Sequence, residues 1–78
     1  MVLQRIMSIL RNERVRRGTT LRDLAAKMKV DNAHISRAER AIVHPGFIVL
    51  LRWCRALDLE FESVLKEARK SLKKQNRQ

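Results

Sequence analysis

Apolar residues recur along this chain at helical spacing, and the alternation expected of strands is nearly absent. Leu3, Ile6, Met7 and Leu10 fall at i, i+3, i+4 and i+7, which predicts a first helix ending near Arg17-Gly18. Thr20 is placed to cap a second helix, its hydroxyl accepting from the backbone N–H three residues on, with Asp23 where a capping-box acid would stand. Leu24, Ala25 and Met28 form the inner face of that helix. Asp31 caps a third helix, which turns Ile35 and Ala38 inward and runs to about Glu39. His44-Pro45-Gly46 breaks the pattern, because a proline biases the preceding residue away from helical geometry. A fourth helix then carries Phe47, Leu50, Leu51, Cys54 and Leu57 on one stripe. After Asp58-Leu59, a fifth carries Phe61, Val64, Leu65, Ala68 and Leu72 before fraying into KKQNRQ. The expected fold is all-α, one domain over residues 1–74 with a basic tail at 75–78.

Composition narrows the partners. A chain of 78 residues forms one domain that buries only ~60% of the surface its unfolded state exposes. Hydrophobic residues at 45% and charged residues at 33% give a globular balance rather than a disordered one. The formal net charge of +10 points to a polyanionic partner. Nucleic acid comes first, ahead of an anionic membrane surface or the RNA of a ribosomal-type basic protein. With one cysteine and two histidines there is neither a disulfide nor a zinc constellation to build, so no metal or other cofactor is expected. The N-terminal MVLQRIMSIL lacks the layout of a secretory leader, and no apolar run approaches membrane-spanning length. The expected location is cytoplasmic, on the nucleoid or as a phage product, with no membrane partner.

The stretch LRDLAAKMKVDNAHISRAE at residues 21–39 holds the most specific signal. Two short helices joined by a tight turn must approach closely, and Ala25 is small enough to let them. Leu24, Met28, Val30, Ile35 and Ala38 supply the inner contacts, leaving Asn32, Ala33, His34, Ser36 and Arg37 directed outward. An exposed helix bearing such donors and acceptors suits the major groove of duplex DNA.

Here the chain resembles the lambda-repressor and Cro-like (XRE-type) helix-turn-helix regulators, from Leu10 to about Leu65. The resemblance rests on Arg14, on Thr20 with Leu24-Ala25, on Val30 at the turn and on Ile35-Ser36-Arg37. Glu39-Arg40, Pro45 and Ala56-Leu57 extend it. It implies a five-helix domain, with the helix-turn-helix at helices two and three, that binds a dyad-symmetric operator as a homodimer. Three positions depart from the family's pattern: Leu21 replaces a glutamine at the start of the second helix, and Lys29 and Ala41 replace glycines.

The resemblance assigns roles residue by residue. Asn32, Ala33, His34, Ser36 and Arg37 would read bases, Arg37 through the fork that fits guanine O6 and N7. Arg14, Thr20, Leu21 through its backbone N–H, Arg22, Arg40 and His44 would hold phosphates. Arg14 and Glu39 would form an ion pair linking the first helix to the end of the third. Apart from the resemblance, Arg11, Arg16, Arg17 and Arg22 either steer the domain electrostatically toward DNA or form a solvated face. In the fifth helix, Asp58, Glu60 and Glu62 precede a basic end. Two such helices antiparallel across a two-fold would set acid toward base, so Leu59, Phe61, Val64, Leu65 and Ala68 are the expected dimer interface. Ile48 and Val49 mark a further surface a partner could cover.

The expected function is therefore a transcriptional regulator acting on double-stranded DNA, by default a repressor or autoregulator. A restriction-modification controller is a variant of that reading. The alternative is an antitoxin that binds a toxin protein as well as its operator. RNA binding would need exposed aromatics, whereas Phe47, Trp53 and Phe61 all occupy apolar helical positions. An enzyme is not expected: the chain has no glycine-rich phosphate loop and no nucleophile beside an orienting histidine.

Overall fold

A computed structural model describes the backbone of residues 2–75 and side chains through residue 71. The side chain of Leu72 and most of the expected basic tail lie outside the described residues. The elements are α1 (Val2–Arg16), α2 (Leu21–Met28), α3 (Asn32–Glu39), α4 (Phe47–Ala56) and α5 (Phe61–Gln75).

Local chemistry sets these limits. The Asp23 N–H donates to Thr20 Oγ1 over 3.0 Å at the start of α2, and the Ala33 N–H donates to Asp31 Oδ1 over 3.4 Å at the start of α3. The first four helices all stop in the same way. A residue just past the helix takes a left-handed backbone, and the next N–H reaches back to a carbonyl five residues earlier. These residues are Gly18 (φ 69°), Lys29 (φ 57°), Ala41 (φ 61°) and Asp58 (φ 56°). The closing bonds run from Thr19 to Arg14 (3.0 Å), Val30 to Ala25 (3.1 Å), Ile42 to Arg37 (2.9 Å) and Leu59 to Cys54 (2.7 Å). Only the first uses glycine. The others carry a Cβ in a conformation that costs an L-residue about 1–2 kcal/mol. Ala41 thus takes in alanine a left-handed turn of the kind glycine adopts without strain.

The helices share one core. α1 packs on α3 and α5, α2 packs on α3 and α4, and α4 packs on α5. Leu10, Leu24, Ile35 and Trp53 are fully buried at 0% exposure, with Met7, Cys54 and Leu57 beside them. Burial pushes the Cys54 thiol up and keeps it in its unreactive protonated form.

Two expectations are corrected. Val64 and Ala68, assigned to a dimer interface, lie inside the monomer at 3% and 0% exposure. α5 lies along α1, and the small Ala68 permits that close approach. Leu59, Phe61 and Leu65 are only half-buried. On α4 the inward face is Leu50, Trp53 and Cys54, so Phe47 and Leu51 are exposed rather than core. Phe47 instead stands edge-on to Phe61, with ring centroids 5.4 Å apart.

Ala41→Gly should raise stability by about 0.5–1 kcal/mol, the relief of left-handed strain less the extra freedom glycine gives the unfolded chain. Urea unfolding followed by circular dichroism measures this. A loss of stability would show that the turn carries no such strain.

Candidate nucleic-acid interface

α3 has one face inside and one outside. Ile35 and Ala38 are both 0% exposed, in the core shared with Leu10 and Leu24. Asn32, Ala33 and Arg37 are exposed, whereas Ser36 and His34 are half-buried. By helical spacing, Asn32, Ala33, Ser36 and Arg37 share the outer face, with His34 at its edge. This face offers an amide, a methyl, a hydroxyl and a guanidinium, which together can address adenine, thymine and guanine edges.

A fork of hydrogen bonds fixes the far end of α3. Arg14 Nε donates to Glu39 Oε2 over 2.7 Å, and Arg14 Nη2 donates to Glu39 Oε1 over 3.0 Å. Arg14 Nη1 donates to the Thr19 carbonyl over 2.9 Å. The side chains are only 13% and 4% exposed, so this pair is shielded from solvent in a way surface pairs are not. One guanidinium thereby joins α1, the turn before α2 and the last residue of α3. Each of its three nitrogens bonds within the chain, which makes Arg14 a brace, and one N–H on each terminal nitrogen is left over for the phosphate also expected of it. Arg11 approaches Glu39 at 3.9 Å but is 58% exposed and adds little.

The remaining phosphate candidates flank α3. Thr20 and Arg22 are exposed at the start of α2, where the N–H of the half-buried Leu21 opens the helix. Arg40 and His44 are exposed in the segment that leaves α3. Arg22, Arg37 and Arg40 have no carboxylate partner among the described residues, so their charge is available to an anion.

The end of α1 behaves differently, through a cluster that sequence reading missed. Glu13 accepts from Arg16 Nη2 and from Arg17 Nε, each over 2.6 Å. These two arginines hold its carboxyl down to about 2. Arg17 also reaches Asp58 at 3.5 Å. Arg16 and Arg17, expected to steer toward DNA, are thus partly neutralised, whereas Arg22, Arg37 and Arg40 around α3 are not. The i, i+3 and i, i+4 spacing of Glu13 to Arg16 and Arg17 was the signal available. Among the described residues no cluster of histidine, cysteine or carboxylate side chains could hold a metal, and no helix is long and apolar enough to cross a membrane.

A short exposed helix held against a second by a tight left-handed turn defines a helix-turn-helix unit. The helix-turn-helix family model matches residues 10–64, and the chain belongs to that family. Among solved structures it is similar to the clp gene regulator ClgR from C. glutamicum, with a TM-score of 0.81 and 31% identity over 91% of each chain. No curated protein matches the sequence.

Removing the brace leaves a buried carboxylate unpaired, so Arg14→Ala should destabilise the fold by about 3 kcal/mol in urea unfolding. Arg14→Lys should recover only part, since an ammonium cannot bond both carboxylate oxygens and the carbonyl in one plane. Full recovery by lysine would refute the fork's role. For Glu13, whose folded pKa is depressed, the cluster should be intact above the ordinary 4.5 and be lost as pH falls through about 2. A carboxyl NMR titration with a midpoint near 4.5 would contradict the pairing.

Proposed function

We propose that this protein is a transcriptional regulator that binds double-stranded DNA as a homodimer on a dyad-symmetric operator. α3 enters the major groove and presents Asn32, Ala33, Ser36 and Arg37 to base edges, with His34 at the margin. The start of α2, Arg40 and His44 sit on the flanking phosphates and set the register. The two recognition helices address half-sites one helical turn apart, about 34 Å. Steric occlusion of a promoter makes repression the default outcome.

The observation that carries this reading is the two-sidedness of α3: buried Ile35 and Ala38 behind, uncovered polar side chains in front, and the Arg14–Glu39 fork at its end. The net charge of +10 supports it, as does the likeness to a clp gene regulator.

A duplex selected from a random pool by repeated binding provides the test, read by fluorescence anisotropy. Arg37→Ala should lower the ratio of selected to random-duplex affinity by about 1–3 kcal/mol, roughly 5- to 150-fold. Arg22→Ala and Arg40→Ala should weaken all duplexes alike, each reducing the salt slope by about one. An unchanged ratio in Arg37→Ala would remove its base-reading role.

A further inference from the structure

The first turns of α1 and the segment that leaves α3 form a cleft with two unlike ends. The inner end is a small pocket of about 60 Å³ lined by Leu3, Met7, Ala41 and Val43, together with Gln4 and His44. The outer end is wider, about 400 Å³, and is lined by Arg5, Ser8, Glu39 and Arg40. Gln4, Met7 and Ala41 line both, so the two ends are continuous. Met7 is only 2% exposed, which makes the shared floor part of the core.

The two ends call for different chemistry. Residues 1–12 and 40–57 contain no acid, so Glu39 is the one carboxylate in the segments that line the cleft. Both of its oxygens accept from the Arg14 fork. Arg5 is half-buried, Arg40 is exposed, and neither has a carboxylate partner among the described residues. Two free guanidiniums beside a neutralised carboxylate favour an anion, and their planar donor sets fit phosphate or carboxylate oxygens. The inner end is mainly apolar, so carbon fills it better than water, which needs several polar partners. At ~25 Å³ per carbon, the allowance of benzene in a dry ~150 Å³ cavity, it takes about two or three carbons.

We propose that this cleft binds a small amphipathic anion, a phosphate or carboxylate bearing a short alkyl or acyl tail. The tail lies among Leu3, Met7 and Val43, and the anionic head lies between Arg5 and Arg40. Arg40 and His44 are also assigned to DNA phosphates, so a filled cleft and a bound duplex compete for them. The ligand is then an inducer that loosens the regulator from DNA. That regulatory role rests on the DNA reading above, whereas occupancy of the cleft does not.

NMR titration of the full chain with propyl phosphate and with inorganic phosphate tests the site. Propyl phosphate should bind about tenfold tighter or more, because its tail leaves water, and should shift the Leu3, Met7 and Val43 methyl signals. Arg5→Ala, outside the residues assigned to DNA, should weaken it about tenfold with unchanged helical circular dichroism. The comparison of the two anions on the wild type does not depend on that variant. Equal affinity for both, the behaviour of a plain backbone-phosphate contact, overturns the proposal, as does binding that leaves those methyls unmoved. Competition is read by fluorescence anisotropy at fixed ionic strength. At ten times its Kd, propyl phosphate should weaken a selected duplex about tenfold, and the same concentration should weaken Arg5→Ala only about twofold. Binding in the cleft without displacement of the duplex overturns the inducer role. A chain that binds the ester but no duplex keeps the cleft and removes the DNA reading, whereas one that binds duplex but not the ester does the reverse.

Discussion

An eight-residue helix does not hold its shape alone in water, so α3 exists only because its inner side is buried. Ile35 and Ala38 provide that burial, and the Arg14–Glu39 fork stops the helix from swivelling about them. The same few contacts therefore stabilise the fold and aim the outer face. Substitutions behind α3 must disturb both, whereas substitutions in front leave the fold intact. That separation lets one scaffold carry different outer faces.

Charge organises the rest of the surface. Internal pairing draws Arg14 to Glu39, and Arg16 and Arg17 to Glu13, leaving Arg22, Arg37 and Arg40 uncompensated near α3. A net charge of +10 opposes self-association. Bound phosphates lower the repulsion between two copies, so DNA binding and pairing of subunits should favour one another by linkage.

The elements were legible because their punctuation is local. Thr20 and Asp31 announce helix starts through their own side chains, and Gly18 marks a stop. The inner residues of α1, α2 and α3 followed from spacing alone. Three features did not. The left-handed ends at Ala41 and Asp58 carry no glycine to announce them. The apolar run in α4 covers nearly every side of the helix, so spacing could not show that Trp53 turns in while Phe47 and Leu51 turn out. On α5, a stripe that faces α1 looks in sequence like one that faces another subunit, and only packing puts Val64 and Ala68 inside. For the candidate site, the resemblance supplied the residue set. It could not supply the third bond of the Arg14 guanidinium, which depends on where the Thr19 carbonyl lies.

The most direct test is an NMR titration of the isotope-labelled chain with a duplex selected for tight binding. The account requires the largest backbone and side-chain shifts in residues 31–40 and at the start of α2, with Arg37 and Asn32 side-chain signals among them. Strong binding that leaves α3 unperturbed and shifts another face would contradict it.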